Sequence, residues 1–514
     1  MNSRAFRFAT IVALGGFVFG LDAAVISGTV KFITAQFGLS DLQVGTVVSA
    51  PGFGVLFALP VASYLSDALG RKRMLQIIAA VYLISAVGSA LAPGFYALVA
   101  FRFIGGLAFT SLSLASMYIG EIAPPEARGK LVGMNQINIV VGLSAAYFIN
   151  YLLVNNAGAL GLGDNVWRYM LGSEIIPAAL WFGLLFTIPA SPRWLLLRGR
   201  EAEARGVLTR LLPAERVEPA LTEIRASFDH SGPQLSLGEQ ARELLTPRLR
   251  RAVLIGLVFG IVQQITGINA ILFYAPTVFE QLGVGENAAF SQAVYVGLTG
   301  LVFTVLALVL VDRLGRRPMT IGGLLWAVAS LALCAYGFHS ATYTLTPDTL
   351  AELSAADAAG ADLGALNALS GVTFDSDIAF KAALDEALGS AVAGAREGAI
   401  LQAAASLPSG LILFGILSFI AAFHFSVGPI MWIIFSEIFG TRVRSLAIPA
   451  FAFVTSVVSY LIQQFFPWQL ANLGARDIFL FYAATSFIGL VILWRILPET
   501  RGRTIEEIEA DLTN

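Results

Sequence analysis

Long apolar runs are the feature that most constrains this chain. Many of them are about 20 residues long, the length that a helix needs to cross a hydrocarbon layer of ~30 Å. Of the 514 residues, 57% are hydrophobic and only 13% are charged, whereas soluble domains carry roughly 25% charged residues. Because backbone polar groups in lipid must be satisfied within their own segment, each run must be helical. The sequence therefore predicts an all-α protein that crosses a membrane many times.

Composition also argues against several kinds of site. A net charge of −2 provides no basic field for nucleic acid. The single cysteine, Cys334, allows no intrachain disulfide or CxxC site, and His230, His339 and His424 lack the spacing of zinc ligands. The sequence shows no clustered nucleophile, metal set or phosphate loop. We therefore expect no enzymatic activity, no catalytic residue, no metal and no cofactor.

The apolar runs form two sets of six predicted membrane helices. The first is interpreted as a span rather than a signal peptide, because no small-residue cleavage site follows it. The predicted spans are residues 8–30, 43–65, 74–92, 97–119, 132–154 and 169–189, then 252–280, 290–311, 319–339, 403–435, 443–466 and 476–497. This pattern predicts an amino-terminal bundle (1–190), a cytosolic linker of short amphipathic helices (191–251), a carboxy-terminal bundle (252–498) and a tail (499–514).

Basic residues predict the orientation, because lysine and arginine are retained on the cytoplasmic side. With the amino terminus inside, 26 of the 32 Lys and Arg residues fall in inner segments and 5 in outer segments, while Arg102 falls within a span. Both termini are therefore predicted to be cytoplasmic, with the chain in the inner or plasma membrane of the cell.

The two halves repeat each other in sequence. "DALGRKRM" at 67–74 reappears as "DRLGRRPM" at 312–319, and "GEIAPPEARGKL" from Gly120 reappears as "SEIFGTRVRSLA" from Ser436. Transporters built from such repeats bind substrate near the midplane, between the halves. The sequence therefore predicts two pseudo-symmetric six-helix bundles with a central site.

Three amides lie inside the seventh span, in the stretch "VQQITGIN". An amide buried in hydrocarbon without a partner costs on the order of several kcal/mol, so Gln263, Gln264 and Asn269 must meet polar groups. Hydrogen bonds to another helix would satisfy them. Their spacing over two turns, beside Gly267, favours a hydroxyl-rich ligand, because carboxamides both donate and accept. Trp432 can stack on the apolar face of a sugar ring, or simply pack in the protein interior.

Ionizable residues inside spans are functional candidates, because each is costly in lipid. Asp22 lies in span one, Arg102 in span four and Glu174 in span six. We expect Asp22 and Arg102 to pair, since an unpaired buried charge is worse than a paired one.

Charged residues also recur at the predicted cytoplasmic ends of helices in both halves. We interpret them as an inter-helix salt-bridge lattice that closes the inside and breaks when the carrier opens inward. The alternative is solvated helix ends that follow the positive-inside rule. The candidates are Asp67, Arg71, Glu121, Arg128, Asp312, Arg316, Arg317, Glu437, Arg444 and Glu499.

These motifs together resemble the sugar porters of the major facilitator superfamily, which include bacterial xylose and arabinose proton symporters and the facilitative glucose transporters. The resemblance rests on "FGLDAAVISG" at 19–28, "ASPRWLLLRGR" at 190–200, "QQITGINAILFYAP" at 263–276, "GPIMW" at 428–432 and "LPETRGRTIEEIE" at 497–509. It covers the chain except for an acidic stretch in the second half.

The resemblance implies roles for individual residues. It implies that Gln136, Gln263, Gln264, Asn269 and Trp432 contact the sugar, and that Phe19 and Tyr274 line or gate its cavity. It also implies that Asp22 and Arg102 form the proton-coupling pair, which Glu174 modulates. Facilitative relatives have asparagine in place of the aspartate, so the residue type points to symport.

The sequence departs from the family pattern at two positions in the carboxy-terminal half. The amide and tryptophan of span eleven are replaced by Thr455 and Ser456, and the asparagine of span eight by Gly300. Two contacts to the sugar are thus expected to be weaker, and the identity of the sugar cannot be carried over.

The acidic stretch, about residues 340–402, separates spans nine and ten. It holds nine acidic residues from Asp348 to Glu397 and only two basic ones, Lys381 and Arg396. A long outer loop at this place resembles the inositol porters. We interpret it as a low-complexity solvated loop that cannot bury a core and is dispensable for transport.

The sequence as a whole predicts an importer of a monosaccharide or related polyol that moves its substrate with a proton by alternating access. Its expected partners are the sugar, protons and the lipid bilayer. The alternatives are a uniporter of the same substrate and, from another class, a membrane sugar sensor. The fold alone also allows a drug antiporter, but the amide cluster argues against one.

Overall fold

Helices form both halves of the chain in the computed structural model, which describes residues 3–123, 128–229, 236–356, 363–440 and 442–513. The amino-terminal half contains α1 (Ser3–Phe37), α2 (Asp41–Leu69), α3 (Arg71–Ala90), α4 (Phe95–Leu107), α5 (Ser111–Ile122), α6 (Arg128–Asn155), α7 (Val166–Gly172) and α8 (Ile175–Leu184). The linker contains α9 (Pro192–Leu197), α10 (Glu201–Leu211), α11 (Ala214–Asp229) and α12 (Leu237–Leu244).

The carboxy-terminal half follows the linker and is interrupted by the acidic stretch. Its first helices are α13 (Arg250–Ile265), α14 (Ile268–Phe273), α15 (Ala275–Glu280), α16 (Glu286–Leu314) and α17 (Arg316–His339). The acidic stretch contains β1 (Thr342–Thr344), α18 (Pro347–Ala356), β2 (Thr373–Phe374), α19 (Asp377–Leu388), α20 (Ser390–Ala404) and β3 (Ala405–Ser406). The half ends with α21 (Ser409–Phe425), α22 (Val427–Ile438), α23 (Arg444–Ile496) and α24 (Ile505–Thr513). Short 3₁₀ turns lie at Ala108–Thr110, Gly163–Asn165, Pro247–Leu249 and Leu363–Leu369.

These helices make twelve membrane crossings. Within the described ranges, ten helical segments are long and apolar enough to span a membrane. One of them, Arg444–Ile496, contains two spans, because the backbone turns at Gly474 with φ 76°. The sixth crossing is divided between α7 and α8. The chain is therefore an all-α, twelve-helix membrane protein, as the sequence predicts.

The sequence repeat is also a structural repeat. Gly70 ends α2 with φ 87°, and Gly315 ends α16 with φ 96°. Positive φ values favour glycine, which has no Cβ to clash. A new helix starts at once after each glycine, at Arg71 and at Arg316. The same sharp turn thus joins the second and third spans of each half.

The two faces of the bundle differ in how the halves meet. We call the side that carries α9–α12 the linker face, and the side that carries residues 340–408 the insert face. One continuous apolar core contains buried residues from 21 to 39, in the second part of α1 and the turn that follows it. The same core includes α14, α15 and the rest of the carboxy-terminal half. The start of α1, from Ala5 to Val18, packs instead in a separate core with α3, α5, α8 and the linker helices. The halves are thus packed together toward the insert face.

The acidic stretch is a folded unit, and the prediction of a solvated loop without a core was wrong. Its strands pair in the order β2-β1-β3, and its own apolar core buries Tyr343, Leu345, Phe380 and Ile400. The rings of Tyr343 and Phe380 stack 5.5 Å apart. Alanine and a few large apolar residues, placed on one face of each helix, suffice to cover this small sheet. Most acidic residues of the described part are exposed, among them Asp348, Asp375 and Asp385.

Candidate functional site

A buried ion pair lies within the amino-terminal half. Arg102 of α4 donates from Nη1 to Asp22 Oδ1 of α1 at 2.6 Å, and each residue is only 2% exposed. Glu174, between α7 and α8, is 4% exposed and lies close enough to Asp22 for their charges to interact. The structure thus brings together the three residues that the sequence nominates for proton coupling.

The charges of this cluster do not balance. Two carboxyl groups face one guanidinium, and among the described residues Asp22 Oδ2, Glu174 Oε1 and Arg102 Nε have no hydrogen-bond partner. A buried net charge is costly, and one proton on either carboxyl removes it. The arrangement can therefore take up and release a proton.

Aromatic rings cover this cluster. Phe19, three residues before Asp22, packs edge-on against Phe109 at 4.7 Å, and Phe109 contacts Tyr82 at 6.3 Å. Tyr82 is 2% exposed and lies close enough to Asp22 to interact with its charge. The sequence analysis missed Tyr82, because a tyrosine in an apolar span has no pattern that sets it apart. In this structure Phe19 therefore packs in a group of aromatic rings beside the buried ion pair.

The amides of the seventh span form a chain of hydrogen bonds. Gln264 Nε2 donates to Gln263 Oε1 at 2.7 Å, and Asn269 Nδ2 donates to Gln264 Oε1 at 2.7 Å. Gln263 and Gln264 are 6% and 8% exposed. The three side chains that were predicted to act together therefore lie together.

Span eleven extends this chain with two residues that the sequence analysis missed. Asn269 Nδ2 also donates to Ser459 Oγ at 2.7 Å, and Gln463 Nε2 donates to Ser459 Oγ at 2.8 Å. Ser459 and Gln463 lie one and two helical turns after Thr455. Their i, i+4 spacing on an apolar helix is the signal that could have revealed them. Span eleven thus still presents an amide and a hydroxyl to the cluster.

A break in the seventh span positions the amides. Gly267 separates α13 from α14 with φ 81°, and a Cβ there would lie 2.4 Å from the ring of Tyr482. Only glycine fits this turn without strain. A second break follows at Tyr274, which is 1% exposed and donates from its hydroxyl to the Gln463 carbonyl at 2.9 Å. In this structure Tyr274 ties the broken span to α23.

Gln136 and Trp432 are two further predicted sugar contacts with partly accessible side chains. Gln136 on α6 is half-buried and, among the described residues, makes no hydrogen bond. Its neighbours Asn135 and Asn138 instead bond to the Leu112 and Ala13 carbonyls. Trp432 on α22 is 45% exposed and contacts Phe435 edge-on at 5.9 Å. Both can therefore meet a ligand.

A histidine occupies the space beside Gly300. A Cβ on Gly300 would lie 3.1 Å from His424 Nε2, and Thr304 Oγ1 is 3.1 Å from His424 Nδ1. His424 therefore packs between α21 and α16 because position 300 has no side chain.

The charged residues at the linker face form one network in each half. Arg71 pairs with Asp67 at 2.8 Å and Glu121 at 3.1 Å, and Arg316 pairs with Asp312 at 3.0 Å and Glu437 at 2.9 Å. These pairs connect helices of the same half. The side chain of Arg128 lies outside the described residues.

Glu499 caps a helix at the same face. Its carboxylate accepts from the backbone amides of Arg316 and Arg317 at 3.0 and 3.1 Å, a favourable place for negative charge. Arg317 also donates to the Trp494 carbonyl at 2.9 Å, and Arg444 donates to the Phe439 carbonyl at 3.1 Å. These contacts fix helix ends within the carboxy-terminal half.

The fold and these clusters define a membrane carrier with a repeated helical bundle. The family model described as "Sugar (and other) transporter" matches residues 8–355 and 387–512. The gap between the two matched ranges, residues 356–386, falls in the acidic stretch. The chain therefore belongs to the sugar transporter family, whose members are transporters and not enzymes.

Known relatives match along almost the whole chain. The D-xylose-proton symporter of Escherichia coli strain K12 is 30% identical over 99% of this chain and 96% of the relative. The arabinose-proton symporter of Bacillus subtilis strain 168 is 31% identical over 96% and 92%. The fold is similar to the partially occluded inward-open conformation of the xylose transporter XylE from E. coli, with a TM-score of 0.74, 28% identity and coverage of 97% and 99%.

Proposed function

We propose that this protein imports a monosaccharide or a related polyol together with a proton, by alternating access. Its partners are the sugar, protons and the surrounding bilayer. The similar proteins named as xylose and arabinose proton symporters support this proposal.

The observation that carries the proposal is the buried cluster of Asp22, Arg102 and Glu174. With both carboxyls ionised the cluster has a net negative charge in a site that water does not reach. One proton makes it neutral, and protonation of Asp22 weakens its attraction to Arg102, which frees the helices that carry them. This charge count supports one titrating proton for each cycle.

The amide cluster supports a sugar as the substrate. Gln263, Gln264 and Asn269 carry donors and acceptors without a formal charge, which suits neutral hydroxyl groups. In this structure they bond to one another, so an entering sugar exchanges those bonds for bonds to its own hydroxyls. Gln136 and Trp432 supply a further amide and a flat apolar surface.

The placement of Lys and Arg residues supports a membrane orientation, and the contacts between the halves support a conformational state. We place the linker face and both termini in the cytoplasm, and the chain in the inner or plasma membrane, because most Lys and Arg residues fall on that side. Toward the insert face Ser49 donates to Gln464 at 2.8 Å, and Tyr147 donates to the Leu272 carbonyl at 2.5 Å; both bonds join the two halves. These contacts support an inward-facing state that is closed on the outside.

Uptake by purified protein in proteoliposomes tests this function. Labelled pentoses, hexoses and inositols are supplied at equal concentration, with and without an acidic outside, and with a protonophore as control. We expect one sugar class to accumulate above its external concentration only when the pH gradient is present. Uptake that stops at the external concentration under every gradient would overturn symport in favour of uniport.

A further inference from the structure

An ion-pair cluster at the insert face joins the two halves. Lys31 of α1 donates from Nζ to Glu280 at 3.3 Å and to Glu286 at 2.8 Å. Glu280 is the last residue of α15, and Glu286 is the first residue of α16. The side chains of the three residues are 42%, 15% and 35% exposed. One lysine of the amino-terminal half thus holds two carboxylates of the other half.

The two carboxylates stand on either side of a tight turn. The turn reverses the chain at Gly283, which has φ 65°. Lys31 places a positive charge of α1 beside both negative charges at the ends of this short turn. The lysine therefore favours contact between the halves by direct attraction and by screening the repulsion of Glu280 and Glu286.

The folded acidic stretch holds this turn from the other side. Lys381 Nζ of α19 donates to Gln281 Oε1 at 3.0 Å. Ser409, the first residue of α21, also donates from Oγ to the Leu282 carbonyl at 3.2 Å. A Cβ on Gly283 would lie 3.0 Å from the Cβ of Ala405. The turn that carries the two carboxylates is therefore packed against residues 381–409.

The same unit is anchored to the turn between spans eleven and twelve. Asp377, 8% exposed, accepts from the Ala475 backbone amide at 3.3 Å, and a Cβ on Gly474 would lie 2.6 Å from its Oδ1. The unit thus connects two turns of the carboxy-terminal half, and it fixes where Glu280 and Glu286 stand relative to α23.

We propose that Lys31, Glu280 and Glu286 form an ionic latch that stabilises the state closed at the insert face, and that the folded stretch at 340–408 positions the two carboxylates of the latch. The inference rests on the proposed transport function, because opening at this face is one half of alternating access. The three residues are positioning residues, which act through the distance between the halves and not through contact with the sugar.

The latch shifts the equilibrium between the states closed and open at the insert face, so its effect is measured as the solvent accessibility of a cysteine placed at that face. Thr46→Cys introduces a thiol where α2 meets Gln464 of α23, in the contact that separates when the insert face opens. Cys334 is 0% exposed and provides a low background. The rate of maleimide labelling of the full chain in detergent requires neither a sugar nor a proton gradient, so failure of the latch is distinguishable from failure of the proposed function.

Charge reversal gives the sharpest result. In the Thr46→Cys background, Lys31→Glu should raise the labelling rate between about twofold and tenfold, since partly exposed ion pairs shift an equilibrium by such factors. Glu280→Lys added to Lys31→Glu should bring the rate back toward the parent value. Asp164→Lys, which reverses an exposed charge on the same face, is the matched control. An unchanged rate in Lys31→Glu, or no return in the double variant, would overturn the latch.

A separate variant, Lys381→Met, tests whether the folded stretch positions the turn that carries Glu280 and Glu286. Lys381→Met keeps the aliphatic stem but removes the bond to Gln281, and it should raise the labelling rate in the same direction by a smaller factor. A Lys381→Met rate equal to that of the parent, with Lys31→Glu raised, would limit the latch to its three charges and overturn the positioning role.

Discussion

The two halves of the bundle repeat the same helices but bury different chemistry. The amino-terminal half surrounds an ion pair and a further carboxyl with apolar helices. The carboxy-terminal half instead breaks its seventh span at Gly267 and Tyr274 and buries neutral amides. Under the proposed function, the charged cluster of the first half binds the proton and the neutral amides of the second half bind most of the sugar.

Among the variants that separate the two halves, removal of the Arg102 guanidinium should have the largest effect on stability. Arg102→Met leaves Asp22 and Glu174 buried without a positive partner, which should cost about 3–5 kcal/mol. Thermal unfolding of the purified protein in detergent measures the loss. Adding Asp22→Asn to Arg102→Met should recover most of it, because one uncompensated carboxyl is then gone. A double variant no more stable than Arg102→Met alone would show that the two residues do not stabilise each other.

A methyl group added at Gly267, the break in the seventh span, should have the next largest energetic cost. Gly267→Ala forces a Cβ into a positive φ and into the Tyr482 ring, at a cost on the order of 3 kcal/mol. We expect sugar binding to weaken, because Gln264 and Asn269 flank this turn. Gly322→Ala is the matched control, since nothing lies within 4 Å of a Cβ there. Equal sugar dissociation constants in both variants would show that the break does not position the amides.

Alanine substitutions of one asparagine in each half compare the two halves directly. Asn269→Ala removes a side chain of the amide cluster, so sugar affinity should fall by about 1–3 kcal/mol. Gln264→Ala should act in the same direction. Asn138→Ala removes a bond to the Ala13 carbonyl and should lower stability while leaving sugar affinity unchanged. Calorimetric titration with the transported sugar measures all three, and unchanged affinity in both Asn269→Ala and Gln264→Ala would place the sugar elsewhere.

The anchor of the acidic stretch should show the smallest effect. Asp377→Ala removes the bond to the Ala475 amide and should destabilise the fold by about 1 kcal/mol. Asp375, two residues earlier, is exposed, and Asp375→Ala should be neutral. Thermal unfolding of the two variants tests whether residue 377 is an anchor. If both melt with the parent protein, the unit is not held to the bundle at this point.

The sequence predicts most of this architecture, because long apolar runs and a repeated motif admit few folds. It also nominates Asp22, Arg102 and Glu174, because ionizable residues inside membrane spans are energetically costly and are therefore functional candidates. It misses Ser459, Gln463 and Tyr82, which become neighbours of the two clusters only when distant helices pack.

The fold of the acidic stretch was missed for a different physical reason. Its core depends on a few residues, such as Tyr343 and Phe380, that are far apart in sequence and diluted by alanine. Average composition therefore suggested a solvated loop. The i, i+4 pair of Phe380 and Leu384 on a charged helix is the local signal of a buried face.

Asp22→Asn in proteoliposomes tests the central claim most directly, because it removes the charge that pairs with Arg102 and leaves the amide cluster intact. The variant should still bind sugar and exchange labelled for unlabelled sugar, but it should lose accumulation driven by an acidic outside. Asp477→Asn, at an exposed carboxylate, is the control and should accumulate normally. Asp22→Asn vesicles that still concentrate sugar against its gradient would contradict the account.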